Sequence, residues 1–176
     1  DRNLVEVSAA LLDCREQYGV QTAFAFCASN QRAAELERVA TRVLAARGVA
    51  LGRVSGDMAM AQRARVMQPV RDAAAAAAAA DGSASTMSIV TNCRVLGEGV
   101  DLPAVDLVVF VDPKQSHIDI LQCMGRASRL SRGKEFGYIL VPTGEVAAED
   151  GRAVSVMRAY AEQDAEFAEG LRSIVR

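Results

Sequence analysis

Apolar residues first recur along this chain at helical spacing. Leu4, Val7, Leu11, Leu12 and Cys14 form a rough stripe that stops at Gly19, which predicts a helix over Leu4 to Tyr18 closed by a glycine. The run Thr22-Ala-Phe-Ala-Phe-Cys-Ala28 then carries no charge, the pattern of a short strand buried on both faces. Ser29 and Asn30 are capping types, and Ala34, Leu36, Val39, Val43 and Leu44 predict a helix from Gln31 to Arg47 ended by Gly48. A second unit repeats the pattern, with a strand over Val49 to Ser55, a Gly56-Asp57 turn and a helix over Ala59 to Arg71.

The alternation continues with strands over Thr86 to Thr91, Val105 to Val111 (closed by Asp112-Pro113) and Phe136 to Val141 (closed by Pro142), and a helix from about Ser116 to Met124. Val154, Met157, Tyr160, Ala161, Phe167 and Leu171 predict a last amphipathic helix over 150–172. Strands alternating with helices imply an α/β fold with a parallel sheet covered on both faces. Such sheets bind ligands beyond the carboxyl ends of their strands, where the informative residues are expected to cluster. One segment breaks the pattern: eight consecutive alanines, Ala73 to Ala80, run into Asp81-Gly-Ser-Ala-Ser85. Alanine favours helix, yet the run has no amphipathic stripe and its Gly/Ser tail is linker-like. The expectation over about 73–85 is a surface insertion, part frayed helix and part disordered, without a chemical role.

Composition narrows the class. With 51% hydrophobic residues against 24% charged, 176 residues can bury the core of one domain without disulfides or metals. Cys14, Cys27, Cys93 and Cys123 form no C-x-x-C pair, so no metal site or disulfide framework is indicated, and an intracellular setting, cytoplasm or nucleus, is expected. No signal-peptide pattern follows Asp1, whose lack of an initiator Met suggests an excised piece. No uninterrupted apolar stretch reaches the roughly 18 residues of a membrane span, so no membrane partner is expected. The basic residues are 18 arginines and two lysines in a chain of net charge -2. That excludes a wholesale basic nucleic-acid coat and leaves room only for placed donors in one groove.

Two loops carry candidate chemistry. The first reads Thr91-Asn92-Cys93-Arg94-Val95-Leu96-Gly97-Glu98-Gly99-Val100-Asp101-Leu102-Pro103. Its hydroxyl and amide at a strand end can donate to a phosphate, its glycines permit close backbone approach, and Asp101 can accept from a ribose hydroxyl or an arginine. The same residues also fit a cap and a turn, and the loop alone leaves both readings open. The second is Gln122-Cys-Met-Gly125-Arg126-Ala-Ser-Arg129, with Arg132 and Lys134 following. Two guanidinium groups three positions apart can converge on one polyanion, and the planar, permanently charged fork suits charge developing on a transferred phosphoryl group. His117 reads as a helix-start residue, the sequence around Cys93 and Cys123 offers no evident base or metal ligand for a nucleophilic role, and Met58, Met60 and Met67 read as helix packing.

These residues resemble a known family. Q-x-x-G-R-x-x-R is similar to motif VI of superfamily two helicases, and T-N-x-x-x-x-G-E-G-V-D-L-P-x-V-D is similar to their motif V. Phe24 to Asn30 resembles motif IV, and Val54-Ser-Gly-Asp57 with Arg63 resembles the following H-G-x…R segment, Ser55 standing where many relatives carry histidine. The matches keep family order over residues 22–142 of the 176. Gln122 and Cys123 depart from the H-R-x-G-R-x-G-R of DEAD-box proteins, so the resemblance is nearer to motors of the restriction-enzyme and repair type.

The resemblance implies a three-layer RecA-like (P-loop NTPase-like) domain over 1–176, the second motor domain of a helicase or translocase. Arg126 and Arg129 would be arginine fingers reaching the γ-phosphate, and Gln122 would orient the attacking water. Gly99 and Asp101 would line the ATP cleft or couple motif V to motif VI, and Gly125 would line the same cleft. Ser29, Asn30, Gly56, Arg63, Thr91 and Asn92 would contact a DNA or RNA backbone. The chain holds neither G-x-x-x-x-G-K-[ST] nor a D-E-x-H motif. ATP and Mg²⁺ would therefore require an N-terminal RecA-like domain of the same protein, and this domain alone is expected to be inactive. The alternatives are a RecA-like interaction module that has lost its motor, and a dinucleotide enzyme, disfavoured because no glycine fingerprint follows the first strand.

Overall fold

The first helical stripe folds as α1 (Arg2–Tyr18) in the computed structural model, which describes residues 1–79, 86–93, 105–112, 117–127 and 136–142. It ends at Gly19, whose φ of 67° is left-handed and lets its N–H reach the Arg15 carbonyl at 3.0 Å. The uncharged run gives β1 (Thr22–Phe26), buried at every position. Then come α2 (Asn30–Leu44), a 3-10 turn (Ala45–Arg47) and β2 (Val49–Val54). The remaining elements are α3 (Met60–Ala79), β3 (Met87–Asn92), β4 (Leu107–Phe110), α4 (His117–Ala127) and β5 (Tyr138–Leu140).

The alanine run is described as far as Ala79. Ala73 to Ala79 continue α3 as regular helix, and Ala73 is 6% exposed. Alanine's propensity, together with a side chain small enough to lie against the sheet, carries the helix on past Arg71. Within α3, Pro69 lacks the N–H its turn would use, and its own carbonyl accepts from the Ser88 hydroxyl of β3 at 3.1 Å, tying helix to sheet. Residues 80–85 and the helix expected over 150–172 lie outside the described residues.

All strand pairs are parallel, in the order β2-β3-β1-β4-β5. Register aligns Val54, Asn92, Phe26 and Phe110 in one row, so the carboxyl ends of four strands share an edge. On one face α1 and α2 pack Leu4, Val7, Leu11, Ala33, Leu36 and Ala40 against Ala23, Ile89 and Val109. On the other, α3 and α4 pack Met67, Val70, Ile120 and Met124 against Phe24, Val90 and Val108. Apolar cover on both faces is why the central strands are uncharged. Met67 packs as its spacing predicts, whereas Met60 is 87% exposed, because it opens α3 beyond the edge of the sheet.

Aspartates hold both ends of β1 against β4. Asp106 Oδ2 accepts from the backbone N–H of Gln21 (3.0 Å) and Thr22 (2.9 Å) and from the Thr22 hydroxyl (3.0 Å). At the far end the ladder closes with Val111 N–H donating to the Phe26 carbonyl at 3.0 Å. The next donor, Ala28 N–H, goes to Asp112 Oδ2 at 2.9 Å.

Candidate nucleic-acid interface and finger helix

At the common edge the carboxyl ends of β2, β3 and β1 lie side by side, and the first residues after each are described. In the β1 loop the Ser29 hydroxyl accepts the Arg32 N–H at 3.0 Å and so caps α2, while Ser29 and Asn30 are both exposed. The capped helix start adds its partial positive charge at an open surface, a setting suited to phosphate. In the β2 loop Gly56 is exposed, and its carbonyl accepts from Arg63 Nη2 at 2.6 Å. Arg63 thus folds back over the turn, half-buried, with an Nε that has no hydrogen-bond partner among the described residues. A hydrogen bond from Ser55, then its own backbone, hold the Asp57 carboxyl below its usual range. In the β3 loop Cys93 is half-buried and its thiol donates to the Ala28 carbonyl at 3.3 Å.

Thr91 and Asn92 sit differently from the expectation of a surface contact. Both are 0% exposed. The Thr91 hydroxyl donates to the Ala33 carbonyl of α2 at 3.4 Å, and the Asn92 amide to the Ala25 carbonyl at 3.3 Å. Asn92 Oδ1 is buried with no partner among the described residues. The physical reason is that β3 stays paired on both sides through Asn92, so its last side chains still point into the two packed layers.

The segment around Gln122 and Arg126 lies elsewhere. With 11 residues, α4 is about 16 Å long at ~1.5 Å per residue, enough to run back along the strands. Its end packs on Gly137, where a built Cβ would lie 2.1 Å from the Ala127 carbonyl oxygen. The neighbouring Tyr138 N–H bonds the Asp106 carbonyl at 2.7 Å, which fixes this contact at the amino edge of the sheet. Gln122 and Gly125 therefore lie along α4, and the helix position of Arg126 is at the opposite edge from Ser29, Asn30 and Gly56. The single cluster expected at the carboxyl edge is thus two groups, separated because α4 is antiparallel to the sheet and about as long as its strands. Gln122 is exposed, and four positions on, Arg126 shares its helix face. The side chain of Arg126, and Arg129, Gly99 and Asp101 entirely, lie outside the described residues.

Four supporting residues escaped sequence reasoning: Asp106, Asp112, Arg32 and Gly137. An acid before Pro113 reads as a turn, and its partner Ala28 is 84 positions away. Gly137, just ahead of an apolar run, offered a faint signal of close approach. Cys27, 4% exposed behind Ala28, has its thiol pKa pushed up to about 12 by burial and then by the nearby Asp112. An open groove beside Ala50, Pro69 and Ala76 is lined also by Ser88, near the amino ends of β2 and β3, and lies away from the strand-end loops. No helix among the described residues is long and apolar enough to cross a membrane.

The family model described as "Helicase conserved C-terminal domain" matches residues 5–131. The chain belongs to this family. As a helicase C-terminal domain of superfamily two, it shares its RecA-like parallel sheet with solved relatives. It is similar to the ATP-dependent Type ISP restriction-modification enzyme LlaBIII bound to DNA, with a TM-score of 0.69 and 26% identity over 95% of this chain and 12% of that one. It has the fold of the C-terminal domain of the DEAD-box protein Dbp5, with a TM-score of 0.59 and 17% identity over 93% of this chain and 82% of that one. A protein of Methanocaldococcus jannaschii that carries the name ATP-dependent RNA helicase MJ1505 is 37% identical over 57 residues, 32% of this chain and 7% of that protein. The helicase C-terminal domain thus spans a small part of the larger proteins it matches.

Proposed function

We propose that this domain is the second motor domain of an ATP-dependent helicase or translocase, and that it works through two surfaces on opposite edges of its sheet. The observation that carries the reading is the exposed Gln122 one helical turn before Arg126 on α4, away from the three strand-end loops. The donor set on α4 is an amide and a guanidinium, which fits the anionic γ-phosphate of ATP and does not fit a cation. Mg²⁺ would accordingly be held by an N-terminal RecA-like domain of the same protein, which would also cradle the β- and γ-phosphates. ATP bound there supplies the phosphoryl group.

Arg126 and Arg129 neutralise charge on that group as it transfers, and Gln122 holds the attacking water by its amide. Gly125 keeps the helix surface open for the approach, and Gly99 and Asp101 line the same cleft. At the other edge, Ser29, Asn30 and Gly56 meet a DNA or RNA backbone, with Arg63 bracing the Gly56 turn. Thr91 and Asn92 act from inside, holding the start of the β3 loop. Contacts to phosphate rather than to bases make binding tolerant of sequence and sensitive to salt. Closure of the two domains on ATP and reopening after hydrolysis would shift the strand surfaces past each other. The domain by itself would be inactive.

The test is Arg126→Ala and Arg129→Ala in the full-length protein, assayed for ATP turnover and ATP affinity. Fingers of this kind contribute on the order of 10³-fold or more to turnover, so kcat collapses while affinity moves far less. Wild-type turnover in both variants would remove the finger assignment, whereas absence of ATP turnover in the unaltered full-length protein would favour a non-catalytic interaction module.

A further inference from the structure

The segment proposed to touch the nucleic-acid backbone is gripped at both ends by one carboxylate. Asp112 Oδ2 accepts the Ala28 N–H at 2.9 Å, on the residue before Ser29. Its other oxygen, Oδ1, accepts from Arg32 Nε at 3.1 Å, on the first turn of α2. Between those two anchor points lie only Ser29, Asn30 and Gln31, and the Ser29 hydroxyl takes the Arg32 N–H at 3.0 Å. The Asp112 side chain is 16% exposed and that of Arg32 20%, so solvent screens the pair only partly. Arg32 is further occupied by Asp1, by Glu35 at 3.5 Å and by the Asn3 amide oxygen at 3.2 Å, which engages it with protein acceptors rather than with phosphates.

We infer that Asp112 is a positioning residue for nucleic-acid binding: it sets the Ser29–Asn30 turn against the start of α2 in the shape that meets the strand backbone. This rests on the reading of Ser29 and Asn30 as strand contacts. A carboxylate can accept on both oxygens at once, whereas an asparagine of the same shape has one acceptor and must turn an NH₂ toward either Ala28 N–H or Arg32, so one anchor is lost.

The protein supplies its own control. Asp106 makes equivalent bonds to the other end of β1, at Gln21 and Thr22, far from the turn. Asp112→Asn and Asp106→Asn are therefore made in the full-length protein. ATP turnover is titrated with a single-stranded oligonucleotide, as DNA and as RNA, and thermal melts are recorded. Exchange of a charged acceptor for a neutral one predicts that Asp112→Asn raises the strand concentration for half-maximal turnover about fivefold to tenfold, with kcat within about twofold of wild type. Asp106→Asn is expected to lower the melting temperature without that shift. The inference is overturned if Asp112→Asn binds strand like wild type, if Asp106→Asn shifts the titration equally, or if Asp112→Asn does not fold, since Asp112 is then scaffold alone. A wild-type turnover that responds to neither DNA nor RNA would instead remove the strand reading itself, and this inference with it.

Discussion

Gly137→Ala probes whether the placement of α4 matters for turnover. A Cβ at residue 137 would stand 2.1 Å from the Ala127 carbonyl oxygen and 2.7 Å from its carbon, where ordinary contact begins at 3.4 Å. Both atoms are backbone, so no rotamer change relieves the clash, and the end of α4 must withdraw by about 1.3 Å. Overpacking of this kind costs about 1–3 kcal/mol, which for a domain of this size lowers the melting temperature by several degrees. Ala127 directly follows Arg126, so the displacement passes to the proposed finger position. A misplacement near 1 Å in a positioned catalytic group costs on the order of 10²-fold in rate. The assay is ATP turnover of the full-length protein at saturating oligonucleotide, with melts of the same samples. The expected outcome is a fall in kcat of about that size while the half-saturating strand concentration stays put, because Ser29 and Asn30 are at the other edge. Gly52→Ala is the matched control, since its Cβ would meet only the Val66 Cγ1 methyl closely, at 2.7 Å, and kcat should hold. Wild-type kcat and melting temperature in Gly137→Ala would refute the reasoning.

Three further outcomes follow from single residues. Burial raises the Cys27 thiol from an ordinary 9.0 to about 12, so the folded state favours the neutral thiol. The resulting stabilisation is fully present below pH 9.0 and is lost as pH climbs toward 12. Urea midpoints should decline over that window and decline less in Cys27→Ser; a disulfide reagent at pH 8 should label Cys93 readily and Cys27 only after unfolding, and equal labelling rates would contradict the burial argument. Ser29→Ala removes the cap on the Arg32 N–H and should cost about 1 kcal/mol of stability in denaturant melts, with Ser29→Asn recovering most of it.

Much of the layer arrangement was legible in the order of residues. Uncharged runs such as Thr22 to Phe26 became central strands because only residues without charge survive between two apolar layers. Gly19 and Gly48 ended their helical segments because each adopts positive φ there. The Q-x-x-G-R-x-x-R and E-G-V-D-L-P wording is enough to liken the chain to helicase C-terminal domains, and the family match over 5–131 agrees.

What the sequence by itself determined, then, is burial and punctuation, since both depend on the residue and its near neighbours. Tertiary structure decided partnership and direction. Thr91 and Asn92 look outward in a motif, yet their strand is paired on both sides and turns both inward. The alanine run gave no amphipathic cue, and helix won because Ala73 had a sheet to lie against. Arg126 follows the carboxyl edge in sequence but reaches the amino edge in space, because α4 returns antiparallel to the strands. Asp106 and Asp112 found their backbone partners more than 80 positions upstream, at opposite ends of one strand. Only the register of a parallel sheet, set by contacts across its full width, brings such residues within hydrogen-bond reach.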